Sequence, residues 1–261
     1  MKKKRKKLGF ALGAGGSRGV AHIGFLKAME EADIRPDFIT GSSMGSVVGA
    51  AYSAGMSIEE MKNAVFKLRL LDLIAPTGHR GGLFDTKKIR RLLKYYIGDP
   101  DFSELKIPFQ CLAVDMISQS TIIFKEGNVL DGVVASSSIP AIFKPTEKNG
   151  MRLIDGGILE RVPFKEVKDM GADVVVAVDV LGQRSTKEKC PNTLGILLET
   201  IDIMDNYHTA RRRMEYKDII DLWLEPDLGD MSQYQFKNFD FAYEKGYEMG
   251  LESVEKIKKL L

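Results

Sequence analysis

The chain has 261 residues, 44% of them hydrophobic, which suits one large domain, or at most two small ones, with a sizeable core. Its 38 basic and 36 acidic residues leave a formal charge of +2, which argues against a broadly basic nucleic-acid surface. No stretch approaches the roughly 20 apolar residues of a membrane-spanning helix, and its two cysteines, Cys111 and Cys190, build no disulfide framework.

The charge is local. Lys2, Lys3, Lys4, Arg5, Lys6 and Lys7 form a basic run, and removing those six leaves 32 basic residues against 36 acidic. Residues 1–7 therefore read as a tail and residues 8–261 as the domain. A polybasic tail attracts anionic lipid at about 1 kcal/mol per residue near the surface; a solvated, disordered start is the plainer alternative. A signal peptide is a third reading. Against it, Leu8 to Gly16 is short and glycine-rich for an apolar core, and cleavage there would remove a strand and loop that the fold needs. With Cys111 in a predicted core strand, the expected setting is a reducing cytoplasm, with peripheral membrane contact through the tail. No clustered His/Cys pattern suggests a metal, and no cofactor is expected.

Leu8 to Leu12 is short and apolar, as a buried parallel strand is. The loop Gly13-Ala14-Gly15-Gly16-Ser17-Arg18-Gly19 follows, then an amphipathic helix from Val20 to Glu31. Such a loop gathers bare backbone N–H groups at a helix start, where they hold a phosphate or the oxyanion of an acyl-transfer reaction. The nucleotide reading lacks its companions. A dinucleotide site wants an acidic residue after the second strand, where this chain has Gly41-Ser42-Ser43. A Walker loop ends in Gly-Lys-Ser/Thr, and this one ends in Ser17-Arg18-Gly19.

The next strand, starting at Phe38, runs into Gly41-Ser42-Ser43-Met44-Gly45 and then a helix of small residues. Strand, Gly-x-Ser-x-Gly turn, helix is the pattern of a nucleophile elbow. The turn is sharp, its tip residue takes unfavourable backbone angles, and the two glycines allow strand and helix to close on each other. Ser43 then stands at a helix N-terminus, where developing negative charge is favoured. Downstream, Met56, Met61, Leu68, Leu70, Leu71, Leu73 and Ile74 are candidates for an acyl channel or for plain core. The glycine-rich loop 75–82 is the best mobile segment.

Further strands are expected at Phe109 to Val114, Thr121 to Phe124, Val174 to Val178 and Ile219 to Leu224, with helices between most of them. Arg152-Leu153-Ile154-Asp155-Gly156-Gly157 reads as a strand ending in an aspartate, and ligand sites of open α/β sheets lie at such strand ends. Taken alone, Asp-Gly-Gly is better explained as a simple turn. Residues 182–192 read as a surface loop. Residues 193–216 read as a long helix with Leu194, Leu197, Leu198, Ile201 and Met204 on one face, and residues 239–261 as a closing helix. Both are expected to cover the sheet.

Gly15-Gly16-Ser17-Arg18-Gly19, Gly41-Ser42-Ser43-Met44-Gly45 and Asp155-Gly156-Gly157, taken in that order, resemble the patatin-like phospholipase family. Gly82-Leu83-Phe84-Asp85 and the stretch Ala135 to Phe143 are similar to segments of it too, so the resemblance covers roughly residues 8 to 180. It implies an α/β fold: a three-layer sandwich with a central, mostly parallel sheet between helices. It also implies a serine acyl hydrolase of lipid esters working through a Ser-Asp dyad and an acyl-enzyme. Ser43 carries over as nucleophile and Asp155 as base. The backbone around Gly15 and Gly16, with the adjoining Ser17 and Arg18, carries over as the oxyanion hole. Where many members have three consecutive glycines, this chain has Ala14-Gly15-Gly16.

An aspartate of ordinary pKa, about 3.9, is a poor base beside histidine at about 6.5, so a dyad needs help from its surroundings. A histidine rival exists: Ser43, Asp155 and His208 fall in the chain order of a Ser-Asp-His triad. His208 lies on a polar helix surface, His22 just after the glycine loop and His79 in the loop 75–82. A non-catalytic lipid- or nucleotide-binding role is the remaining alternative.

Overall fold

The computed structural model describes residues 5–66, 86–182, 192–234 and 237–261. The predicted acyl-channel residues Leu68 to Ile74, the loop 75–82 with His79, the segment Gly82 to Asp85, and most of the loop 182–192 with Cys190 lie outside them.

The short apolar runs form an eight-stranded sheet. Strands β1 (Leu8–Leu12), β2 (Phe38–Ser42), β3 (Phe109–Asp115), β7 (Val174–Val178) and β8 (Leu222–Leu224) are parallel, in the order β3-β2-β1-β7-β8. β4 (Ser120–Phe124) and β6 (Met151–Asp155) pair antiparallel with β3, and β5 (Thr146–Lys148) with β6. Alternation along each strand splits its side chains between two cores. Leu8, Phe10, Leu12, Val174, Val176 and Val178 face a thick layer built on helices α1 (Ala21–Glu31), α2 (Met44–Ala54), α3 (Ile58–Phe66) and α8 (Phe239–Leu260). Ala11, Val175 and Ala177 face a thin one, where Phe164 and Val167 of the short helix α6 (Phe164–Asp169) close the sheet. These are the three layers expected.

The arrangement around β3 places the site. β4 occupies one side of β3 from Cys111 to Asp115, so β2 and β6 share the other. Ser42 pairs with Leu112 and Asp155 with the next residue, Ala113. The two strands run in opposite directions, so they meet end to end at their C-termini. A Cβ on Gly156, the residue after β6, would lie 2.2 Å from the Leu112 carbonyl oxygen, which is why the junction takes glycine there.

Helix α5 (Val129–Ser136) packs on β3 and β6 at this junction, α4 (Lys87–Ile97) packs on α5, and α7 (Thr193–Glu215) follows β7. Three expectations change. The strand from Ile219 shortens to Leu222–Leu224, because Lys217–Ile219 winds into a 3-10 turn. α8 packs chiefly on α1, so it covers the helical layer more than the sheet. α7 does not cover the sheet either: it meets the Gly156–Ile158 turn beside Asp155, the thin face being already closed by α6. Of its predicted apolar face Leu198 is buried, while Leu197 and Met204 are 49% and 67% exposed.

Part of the basic tail is tied to the domain. Arg5 pairs with Asp37 at 2.6 Å, Lys6 donates to the Leu260 carbonyl, and the Lys7 ammonium sits 5.3 Å from the centre of the Phe38 ring.

Candidate active site

At the end of β2, Ser43 has φ 50° and ψ −121°, in the left-handed half of the map where a side chain is strained. The neighbourhood holds it there. Its N–H donates to Ser136 Oγ at 3.0 Å, and its carbonyl accepts from Ser46 N–H, Val47 N–H and the Ser46 hydroxyl. Gly45 lets α2 close on β1: a Cβ there would stand 2.1 Å from the Leu12 carbonyl oxygen. The result is the elbow expected from Gly-x-Ser-x-Gly.

Because β2 and β6 meet end to end, the Ser43 hydroxyl donates straight to Asp155 Oδ2 at 2.5 Å. Asp155 Oδ1 accepts from Gly157 N–H at 2.8 Å, and Asp155 N–H donates to the Ser138 carbonyl. Burial pushes the Asp155 carboxyl up to about 7. The hydrogen bonds from Ser43 and Gly157 oppose that rise, and Asp205 adds to it. The Asp155 carboxylate therefore binds a proton far more tightly than a solvated aspartate does.

The glycine loop lies over the same cleft. Gly13 N–H donates to Val178 and Ala14 N–H to Arg161. Ser17 N–H is spent on the Gln233 carbonyl and Arg18 N–H on that of Gly15. The Gly15 and Gly16 amides have no acceptor among the described residues, and both residues line the cleft with Ser43 and Asp155. Gly16, at φ +50°, makes the turn that separates the free donors from the committed ones. Of the expected oxyanion set, Gly15 and Gly16 thus have amides without an acceptor among the described residues, while the Ser17 and Arg18 amides are engaged. Arg18 points elsewhere: its buried guanidinium donates to the carbonyls of Val180 and Met231 and ties the loop to the C-terminal part of the chain.

The histidines stand apart from the pair. Burial lowers the His22 imidazole to about 4, so it is neutral at pH 7 and donates from Nε2 to the Gly13 carbonyl, bracing the glycine loop. His208, half-buried on α7, makes no hydrogen bond to Ser43 or Asp155 among the described residues, so the structure does not assemble the Ser-Asp-His alternative.

The cleft at Ser43 is narrow, about 50 Å³, and its apolar walls are Ile139, Pro140, Ile158, Leu181, Leu198 and Ile201. The expected channel residues Met56 and Met61 are elsewhere. Met61 is core, and Met56 borders a separate cavity of about 530 Å³ with Tyr95 and Tyr96. Two further residues shape the site. Ser136, inside the family-like stretch Ala135 to Phe143 but assigned no role from the sequence, accepts the Ser43 N–H. Arg161, buried, binds Asp179 at 2.7 Å and Asp205 at 3.0 Å, while its carbonyl receives Ala14 N–H, joining β7, α7 and the glycine loop. Among the described residues no group of His, Cys, Asp and Glu could hold a metal, and no helix is long and apolar enough to cross a membrane.

The sequence model described as patatin-like phospholipase matches residues 10–168. The chain is 32% identical over 181 residues to an uncharacterized NTE family protein of Mycobacterium tuberculosis, covering 69% of this chain and 50% of the relative. It is 28% identical over 291 aligned positions to the lysophospholipase nte1 of Aspergillus fumigatus, covering 96% of this chain and 18% of that protein. The chain therefore spans half or less of the length of these relatives. Among solved structures its fold is similar to VipD from Legionella pneumophila, with a TM-score of 0.54 at 12% identity over 97% of this chain and 67% of that one. It is also similar to the type III effector ExoU, with a TM-score of 0.53 at 12% identity over 97% of this chain and 53% of that one.

Proposed function

The chain belongs to the patatin-like phospholipase family, and from that premise we propose that it hydrolyses acyl esters of phospholipid or lysophospholipid through Ser43 and Asp155. The observation that carries the reading is the 2.5 Å hydrogen bond from a strained serine to a buried carboxylate whose pKa stands at about 7. Near neutral pH that carboxylate is ionised in a large fraction of molecules and still basic enough to take a proton in the transition state.

As Ser43 Oγ attacks the ester carbonyl carbon, its proton passes to Asp155 Oδ2. The carbonyl oxygen gains the negative charge, and the Gly15 and Gly16 amides stabilise it; losing one such donor costs about 3 kcal/mol. The tetrahedral species collapses, the leaving alcohol takes the proton from Asp155, and Ser43 keeps the acyl group. Water then attacks the acyl-enzyme with Asp155 again as base, which releases the fatty acid and restores the serine.

The fungal relative is named a lysophospholipase, which favours a single-chain lipid as the first substrate to try. The proposed setting is the cytoplasm, with Cys111 free and buried. The tail's part in anionic-lipid contact stays in the proposal for Lys2 to Lys4, since Arg5, Lys6 and Lys7 already bind the domain. The reading is tested by fatty-acid release from lysophosphatidylcholine and from a water-soluble short-chain ester. Wild type is expected to hydrolyse both and Ser43→Ala neither. Equal rates for the two proteins would reject it.

A further inference from the structure

The outward face of α7 plays no part in that mechanism. At about 100° per residue, Ile196, Ile203, Tyr207 and Met214 fall along one line of the helix, with Leu197 and Met204 beside it. All six are exposed, Ile203 by 62%, Tyr207 by 71% and Met214 by 76%. Arg211 is the one cation within this face, and it pairs with no carboxylate among the described residues; Glu215 lies at the rim. A helix ordinarily buries a stripe of this kind, and an apolar patch left in water marks a contact surface. The opposite face of α7 is the cleft wall, with Leu198, Ile201 and Asp205 beside Ser43.

We propose that this outward face of α7 lies on the lipid surface from which the substrate is drawn. The inference rests on the reading that the substrate is a lipid ester. The chemistry of the face points to lipid. Ile, Leu and Met enter the acyl boundary, Tyr207 sits with its ring in that boundary and its hydroxyl among the headgroups, and Arg211 reaches the phosphates. Position agrees as well. The cleft at Ser43, about 50 Å³, is far smaller than an acyl chain. The wall that has to yield to the substrate belongs to the helix whose other side meets the membrane.

The test compares wild type with the triple variant I203E/Y207E/M214E, whose substitutions lie outside the cleft and keep helix-favouring residues. Flotation uses vesicles of phosphatidylcholine with one-fifth phosphatidylglycerol, at low and at half-molar salt. Wild type is expected to float with the vesicles and to stay bound in high salt, because apolar contact is not screened. The ratio of bound to free triple variant is expected to fall about tenfold or more. Its rate on the water-soluble short-chain ester is expected to match wild type, which shows that fold and dyad are intact. Equal flotation of the two proteins, or no flotation of wild type, would overturn the proposal. So would a wild-type dimer in sedimentation velocity that the triple variant dissociates. If wild type fails on the soluble ester, the enzymatic reading fails, while flotation still judges the helix face.

Discussion

The junction of β2 and β6 and the helix α7 border the same cleft and are built on opposite terms. At the junction the backbone is strained, the side chains are small and polar, and the Ser43 hydroxyl and Asp155 carboxylate are bonded and buried. On α7 the backbone is regular, the side chains are large and apolar, and half a face of them stands in solvent. Proton transfer between a hydroxyl and a carboxylate needs fixed atoms, and a neighbouring strand end delivers them better than a loop. Admission of a flexible lipid needs a wall with something to gain outside the protein. The molecule keeps its order and its exposed apolar surface on different elements of one site.

The largest effect that sharpens this contrast is loss of the nucleophile. Ser43→Ala should lower ester hydrolysis by about a thousandfold or more with an unchanged circular dichroism spectrum. A variant within tenfold of wild type would move the chemistry away from the junction. Asp155→Asn should cost nearly as much activity, and it carries a stability signature of opposite sign. Burial raises the Asp155 pKa from 3.8 to about 7 in the folded protein, so the native state holds this proton more tightly than the unfolded chain does. Stability is therefore lost as pH rises from about 4 through 7, by roughly 4 kcal/mol for the full shift. The asparagine variant has no such loss. The difference in urea midpoint, variant minus wild type, should rise between pH 5 and pH 8, and a difference that stays constant or falls would contradict the buried carboxyl.

For wild type the same carboxyl has to lose its proton to act as base. kcat/KM on a soluble ester should rise with pH through an inflection near 7, and an inflection near 4 would show an unshifted aspartate. A smaller effect is expected where the elbow is only held. Ser136→Ala removes the acceptor of the Ser43 N–H, an interaction worth about 1 kcal/mol, so kcat should fall about five- to tenfold at constant KM. Ser136→Thr should restore much of it. A change in KM alone would make Ser136 part of the binding surface. The smallest effect belongs to His208→Ala, expected within about twofold of wild type because a surface helix position carries little energy. A loss of several hundredfold there would revive the triad.

The contrast also explains what the amino-acid sequence disclosed. Gly41, Ser43 and Gly45 were legible because a tight strand-to-helix turn admits few residue types, and those types cluster within a few positions; Asp155, whose Asp-Gly-Gly reads first as a turn, was picked out only by the ordered resemblance to the family. Ser136 falls in the family-like stretch Ala135 to Phe143, but its role was not legible: its hydroxyl meets the amide of a residue 93 positions away, and no spacing encodes that contact. The glycine loop was legible as a cluster of donors. Which donors remain free depends on Gln233, which takes the Ser17 amide from a distant segment. The apolar cleft walls likewise come from four regions, near residues 139, 158, 181 and 198, and no spacing joins them. On α7 the apolar period was readable and its partner was not. Amphipathic spacing shows that a helix has an apolar side, and the folded layers decide whether protein covers it.

The most direct test of the central claim is intact-mass analysis after treatment with a fluorophosphonate, on wild type, Ser43→Ala and Asp155→Asn. A single adduct on wild type, absent from folded Ser43→Ala and strongly slowed in Asp155→Asn, is the predicted result. Undiminished labelling of Ser43→Ala, or none of wild type in the presence of lipid vesicles, would contradict it.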